Sequence, residues 1–427
     1  MQLKERDSRV VWHPFSPQKT KDIIPIVKGD GALLYDGHGK TYLDVIASWW
    51  VNLHGHGHPY IAEKVAAQAR QLEQVIFAGF THEPAVELAE RLIKILPGPF
   101  SKIFYSDNGS TSTEVALKIA LQYLHNLGTP KKKIIAFKEA YHGDTFGAMS
   151  VSERDKFTTP FTPFLFDVAQ IPAPEKGLEQ QAIEQLKEHI KDGDVAAFIF
   201  EPLVQGAAGM RMYAPEALDE LLSICKEHGV LSIADEVMTG FGRTGKLFAC
   251  DYLRQKPDII CLSKGLTGGT MAMGITSVTE NIFQSFLSKE PETTFYHGHS
   301  FTANPLACSA SLASLDLLLE DKCQDAISTI ERKHNAFLLK IEGHPAVKEV
   351  RHRGTILAVE LKTEDKAGYF NDIRFRIYDW FMERGILMRP MGNVFYLIPP
   401  YCITEEQLDF VYKHMQLFLD ELTKENA

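Results

Sequence analysis

The sequence predicts an α/β fold around a mostly parallel β-sheet, joined to a smaller α+β unit. Three observations carry this. From about residue 100, short β-rich runs alternate with longer stretches of helical periodicity, the order expected of strands linked by crossover helices. These runs are continuously apolar instead of alternating with period two, so they belong to strands buried on both faces. Finally, 427 residues at 45% hydrophobic composition supply more apolar surface than one core needs, since a domain holds roughly 150 residues.

The elements follow in chain order. KIFYS (102–106) is a strand, and TSTEVALKIALQYLHN (111–126) is the helix after it. KIIAF (133–137) and VAAFIFEP (195–202) are the next strands. Between them, Pro- and Thr-rich sequence from about 157 to 176 is an excursion that can lie over a site. PEALDELLSICKEHG reads as a helix ending on Gly229, a residue suited to the left-handed stop. LSIADEV (231–237) and DIICLS (258–263) complete the series, and a long helix follows near 304–320. Then GTILAVEL (354–361), a helix near 370–384 and NVFYLIPP (393–400) form the α+β unit. The division expected is an N-terminal segment of the small domain (1–50), a large domain (51–325) and a C-terminal small domain (326–427).

Composition narrows the function. Lys and Arg number 45 against 55 Asp and Glu, a formal charge of −10. An acidic surface argues against holding nucleic-acid phosphates or an anionic membrane. The longest basic run, Lys131–Lys132–Lys133, reads as a solvated loop. MQLKERDSRV has charges where a signal peptide needs apolar residues, and no run approaches the ~18 residues of a spanning helix. Six scattered cysteines without a CxxC pair read as reduced thiols of a cytoplasmic protein, and not as a zinc or disulfide framework.

The chemistry concentrates in LSIADEVMTGFGRTGKLFACDYLRQKPDIICLSKGLTGG (231–269). One strand delivers Asp235 at its carboxyl end and the next delivers Lys264. That edge is where parallel sheets place ligands. An acid and a lysine entering one pocket from adjacent strand ends is what a pyridoxal 5'-phosphate enzyme requires. The lysine forms a Schiff base, and the acid pairs with the protonated pyridine nitrogen. Taken alone the pair would read as a strand-end salt bridge, but its surroundings favour the cofactor. In DNGSTSTEVALKIA (107–120), Gly109 permits close approach, and Ser110 opens a helix whose free N–H groups form an anion site. In AYHGDTFGAMS (140–150), Tyr141 offers a plane to stack on a ring.

With these residues in view, the chain resembles the class III (ω-type) aminotransferases of the pyridoxal phosphate fold-type I superfamily. The matching stretches are WHP (12–14), SWW (48–50), THEPAVELAERL (81–92), YHGDTFGAMSV (141–151), EPLVQGAAGMRMY (201–213), ADEVMTGFGRTGKLFAC (234–250), LTGGTMA (266–272), NPLAC (304–308) and RPMGNVFYLIPPY (389–401). They span nearly the whole chain. The resemblance implies a seven-stranded, mostly parallel sheet in the large domain and a homodimer with active sites at its interface. It makes Lys264 the cofactor lysine and Asp235 the pyridinium partner. Gly109 and Ser110 would bind the phosphate, while Tyr141 stacks on the cofactor and touches substrate. Gly298, His299 and Ser300 fall where the family reaches the phosphate of the neighbouring subunit. Trp49 would line the substrate channel, and Arg389 would bind a substrate carboxylate.

Two positions depart from the family. Phe15 replaces the tyrosine that usually follows WHP, removing a substrate-recognising hydroxyl. His299–Ser300 stands where Pro-Thr is frequent, and serine keeps the phosphate donor. Plainer readings remain for several residues. Trp49 and Trp50 face opposite ways in an extended segment, so one packs inward while the other lines a cavity. Arg389 pairs with a structural acid or with an aliphatic substrate acid. HGHGH (His54, His56, His58) suggests a metal, but its glycines and the lack of a nearby carboxylate or cysteine favour a turn. No metal is expected. GLTGGT lacks the GK[ST] ending of a nucleotide loop. The alternatives to this reading are an ω-aminotransferase acting on ornithine, 4-aminobutyrate or a diamine, and a non-catalytic pyridoxal phosphate-binding protein.

Overall fold

The computed structural model describes residues 3–16, 23–363 and 372–425. Its centre is a seven-stranded sheet. In chain order the strands are β1 (Phe100–Ser106), β2 (Lys133–Phe137), β3 (Ala169–Ile171), β4 (Val195–Phe200), β5 (Leu231–Asp235), β6 (Ile259–Leu262) and β7 (Gly274–Thr279). They lie side by side in the order β1-β7-β6-β5-β4-β2-β3. Only β7 runs against the rest, pairing antiparallel with both β6 and β1.

The sheet is covered on both faces, which explains its continuously apolar strands. In β4, Phe198 and Phe200 enter one core cluster while Ala197 and Ile199 enter the other. In β2, Ile135 and Phe137 share the first side, and Ile134 and Ala136 the second. Successive side chains in a strand point to opposite faces, so each strand feeds two cores. The helix α1 (Gly109–Asn126) supplies Val115, Ala116 and Ile119 to the second core.

Two strands of this sheet escape the sequence reading. β3 has three residues at the sheet edge, too few to show a pattern. β7 reads GITSVT, and its polar residues are buried because their hydroxyls find backbone acceptors. Thr276 Oγ1 donates to the Ser112 carbonyl (2.8 Å), and Ser277 Oγ donates to that of Lys102 (2.9 Å). A satisfied hydroxyl is buried at little cost, and hydrophobicity alone cannot reveal it.

Strand pairing also ties the N-terminal segment to the C-terminal part. Ile26–Asp30, Leu33–Asp36 and Thr41–Asp44 form an antiparallel meander. Ile386–Leu387 joins it in parallel with Thr41–Asp44. A second, antiparallel sheet combines Val347–Arg353, Ile356–Leu361 and Val394–Leu397. The helix expected near 370–384 spans Ile373–Glu383, with 370 and 371 outside the described residues. The first core cluster runs from Phe198 through Leu357 and Phe395 to Phe418, so one packed interior joins the large sheet to the C-terminal unit. Among the described residues, no helix is long and apolar enough to cross a membrane.

Candidate active site

The carboxyl ends of the parallel strands open on a cavity of about 450 Å3. β5 ends on Asp235, and Lys264 follows two residues after β6. Tyr141 and His142 come from the loop after β2, and Glu201 directly follows β4. All five line the cavity. Lys264 adopts φ 43°, an unusual value for a side-chain-bearing residue, at the start of a single turn, Lys264–Thr267. Its ammonium pKa is lowered chiefly by burial, against the opposing pull of Asp235 and Glu201.

Asp235 is held at both oxygens. Oδ2 lies 2.7 Å from His142 Nδ1, and Oδ1 accepts from the Val237 amide at 3.0 Å. His142 is itself fixed, because its amide donates to Ser152 Oγ (2.8 Å). Buried Glu201 accepts from the amides of Tyr141 (3.1 Å) and Gly206 (2.9 Å). Burial nevertheless pushes its carboxyl up to about 7, with His142 working against the shift and Asp235 adding to it.

The far end of the cavity meets the start of α1. Asn108 caps that helix by accepting from the Thr111 amide (3.0 Å), and Thr111 Oγ1 accepts from the Asn108 amide (3.0 Å). The amides of Gly109 and Ser110 are two of the N–H groups a helix start leaves without an internal acceptor. Glycine keeps the space clear. A Cβ on Gly109 would stand 2.8 Å from Val237 Cγ1, and one on Gly143 (φ +130°) would collide with Ser110 Oγ.

A larger cavity of about 1240 Å3 adjoins the first and shares Trp50, Tyr141, Gly143 and Lys264 with it. Phe15, Trp49 and Arg389 line this outer space. Phe157 and Phe161 from the Pro- and Thr-rich excursion also face it. Trp50 is buried with Lys264 Nζ 4.7 Å from its ring, and its Nε1 donates to the Tyr396 hydroxyl (2.9 Å). Trp49 is 40% exposed. It packs edge-on to Phe15 (5.3 Å), with the Arg389 guanidinium 4.8 Å from its ring. Arg389 Nη2 donates to the Phe15 carbonyl (3.2 Å). Among the described residues, no carboxylate forms an ion pair with Arg389. The segment carrying both tryptophans is strained. Ala47 (φ 49°), Ser48 (φ 61°) and Trp50 (φ 66°) all lie in the left-handed half of conformational space, at a cost on the order of 1–3 kcal/mol each.

Gly298, His299 and Ser300 are not brought to this chain's cavities. Gly298 and Ser300 are exposed. His299 Nδ1 approaches Asp107 Oδ2 at 3.5 Å, beside the start of α1. The HGHGH residues are not gathered into one site. His54 Nε2 meets Ser314 Oγ (3.0 Å), whereas His56 Nε2 donates to Asp44 Oδ2 (2.9 Å). Sequence reasoning missed His142, Glu201 and Arg243. The first two follow strand ends just as Asp235 does, so the same rule could have found them. Arg243 is fully buried and donates to the carbonyls of Pro399 (2.7 Å) and Asn52 (3.0 Å). No local signal announces that role.

Comparison with known proteins agrees with this geometry. The Aminotransferase class-III family profile matches residues 15–419. An adenosylmethionine-8-amino-7-oxononanoate aminotransferase of Synechococcus elongatus is 50% identical, covering 96% of this chain and 99% of the relative. The Methanocaldococcus jannaschii enzyme of the same name superposes with a TM-score of 0.93 at 35% identity, covering 98% of both chains. An ω-transaminase of Pseudomonas jessenii, solved in complex with PMP, gives 0.93 at 25% identity, covering 99% of both chains. The chain belongs to the class-III aminotransferases and is a pyridoxal phosphate-dependent transaminase. The residues present fit that cofactor. Glycines clear a cradle beside two helix-start amides that lack an intrahelical acceptor, and a carboxylate and a lysine with lowered pKa face the same cavity.

Proposed function

We propose that the protein aminates 8-amino-7-oxononanoate to 7,8-diaminononanoate, the biotin-pathway step, with S-adenosylmethionine as amino donor. The observation that carries this reading is Arg389, a guanidinium that has no acid partner among the described residues and lines the cavity that also holds Lys264. A long aliphatic acid carrying a ketone needs both groups. Relatives that bear this activity in their names match nearly the full chain.

Pyridoxal phosphate, when bound, supplies the electron sink through which an amine and a carbonyl exchange places. Lys264 would hold it, with Gly109 and Ser110 at its phosphate, Tyr141 on its ring and Asp235 at the ring nitrogen. Because burial lowers its pKa, Lys264 Nζ gives up its proton readily. The free amine then serves as nucleophile and as the base that moves a proton at the reacting substrate carbon. The transfer is ping-pong: the donor leaves with a carbonyl in place of its amine, and the oxononanoate gains that amine. Arg389 fixes the far carboxylate with two parallel hydrogen bonds, while Trp49 and Phe15 bound the aliphatic chain.

The reading includes a homodimer in which Gly298, His299 and Ser300 complete the phosphate site of the partner subunit. Exposed Ile76, Phe80, Tyr296 and Phe301 support a covered face there. The six cysteines are all free and four are buried, which supports a cytoplasmic setting. The test is Arg389→Ala. It should lower kcat/KM for the oxononanoate by roughly 2–4 kcal/mol in barrier terms, while the donor half-reaction changes much less. Normal turnover in that variant would misplace the carboxylate site. An unmodified enzyme that ignored the oxononanoate and used ornithine or 4-aminobutyrate would overturn the substrate.

A further inference from the structure

The strained Ala47–Trp50 segment carries a wall of each cavity, yet nothing within its four residues explains why it stays strained. Its neighbours do. Asp44 is completely buried and spends both oxygens on the segment: Oδ1 accepts from the Ile46 amide (3.1 Å) and Oδ2 from the Ser48 amide (2.6 Å). The same Oδ2 accepts from His56 Nε2 (2.9 Å). The imidazole is oriented in turn, because Asn52 Nδ2 donates to its Nδ1 (3.3 Å) while Asn52 Oδ1 accepts from the Gly55 amide (2.7 Å). That pattern assigns the proton to Nε2. The His56 backbone is bridged to Gly31, with its amide donating to the Gly31 carbonyl at 2.7 Å and the return bond at 3.2 Å. A side chain at position 29 would overlap His56 Cβ, so glycine there lets the turn close.

We infer that Asp44 and His56 are positioning residues of the reaction. The buried pair holds Ala47–Trp50 in the conformation that sets Trp50 at Lys264 and Trp49 at Arg389, and so governs how well a carboxylate-ended aliphatic chain is accepted. This rests on the acceptor proposed above. A carboxylate with three donors restrains two amides at once, and charge-assisted bonds are the strong ones. Without the histidine, Asp44 loses one donor, and the left-handed Ser48 can relax toward ordinary conformations.

The experiment uses the cofactor-loaded enzyme and nonanoate, a non-reacting carboxylate of similar length. His56→Phe keeps an aromatic ring but no donor. It should weaken nonanoate binding about tenfold, the size of one lost hydrogen bond to a charge, and shift tryptophan emission to the red. Cofactor retention should hold. His56→Gln, whose amide can donate to Asp44, should restore both readouts to within about twofold. Should the phenylalanine variant not be recovered folded, Asn52→Ala reads the same chain one link outward, with a smaller red shift and weaker binding. Unmodified emission and affinity in His56→Phe, or in Asn52→Ala where that is the variant read, would overturn the inference. So would equal losses in His56→Phe and His56→Gln. Arg389→Ala separates the two proposals: if it abolishes nonanoate binding while His56→Phe changes nothing, only the positioning role falls. If Arg389→Ala binds nonanoate normally, the carboxylate site falls, and the emission shift alone decides whether the pair holds the tryptophans.

Discussion

Lys264 sits between opposing influences. Burial drives its ammonium toward neutrality, Asp235 and Glu201 favour the charge, and Arg243 disfavours it. Asp235 therefore has an effect that can be measured without the cofactor. Asp235→Asn removes a charge that raises the Lys264 pKa, so that pKa should fall further. The pH dependence of Lys264 labelling by an amine reagent, in cofactor-free enzyme, reads the shift. With the cofactor bound, the neutral amide cannot stabilise a protonated ring nitrogen, and transamination should slow by roughly 10²–10³, the usual loss for a misplaced electrostatic partner. An unchanged lysine titration together with an unmodified rate would remove Asp235 from the site.

At the level of elements, the site depends on where strands stop and helices begin. The start of α1 is set by the Asn108–Thr111 capping box. Asn108→Ala should lower stability by about 1 kcal/mol and raise the dissociation constant for the cofactor, because the amides of Gly109 and Ser110 lose their fixed direction. Equilibrium dialysis and thermal unfolding measure the two effects, and a stability loss with no change in cofactor affinity would place the phosphate elsewhere. Legibility in the sequence follows the same division. Asp235, Lys264 and Gly109 can be read because each stands where an apolar strand ends or a helix opens. β7 cannot, since hydrogen bonds to Ser112 and Lys102, distant in sequence, make its hydroxyls acceptable in the core. Nor can the Asp44–His56 pair, twelve residues apart. Its partners meet through the Gly31–His56 bridge, a contact that no periodicity encodes. The HGHGH motif shows the difference: sequence favours a turn there, but which histidine does work is a tertiary fact.

The whole molecule leaves one part of the proposed site unassembled in a single chain. Ser300 is exposed, and among the described residues only its carbonyl is engaged, by Gln74 Nε2 at 2.7 Å. The neighbouring Phe301 is also exposed, at 62%. If Ser300 completes the phosphate site of the partner subunit, two defective proteins should rescue each other. Lys264→Ala lacks the amine in its own site but offers an intact Ser300. Ser300→Glu keeps the lysine but presents a carboxylate to the partner's phosphate, a like-charge clash. A homodimer of either variant should be inactive or nearly so. In a heterodimer, one site combines both defects and the other has neither. Random reassortment makes about half of the dimers mixed, with one intact site in each, so close to a quarter of unmodified activity should return, since closed two-fold dimers place each subunit's patch on the other. The measurement is activity after the two variants are mixed and allowed to exchange subunits, compared with each one alone. No recovery, despite mixed dimers demonstrated by mass, would mean that Ser300 serves its own subunit's site or none, and the interface part of the reading would fall.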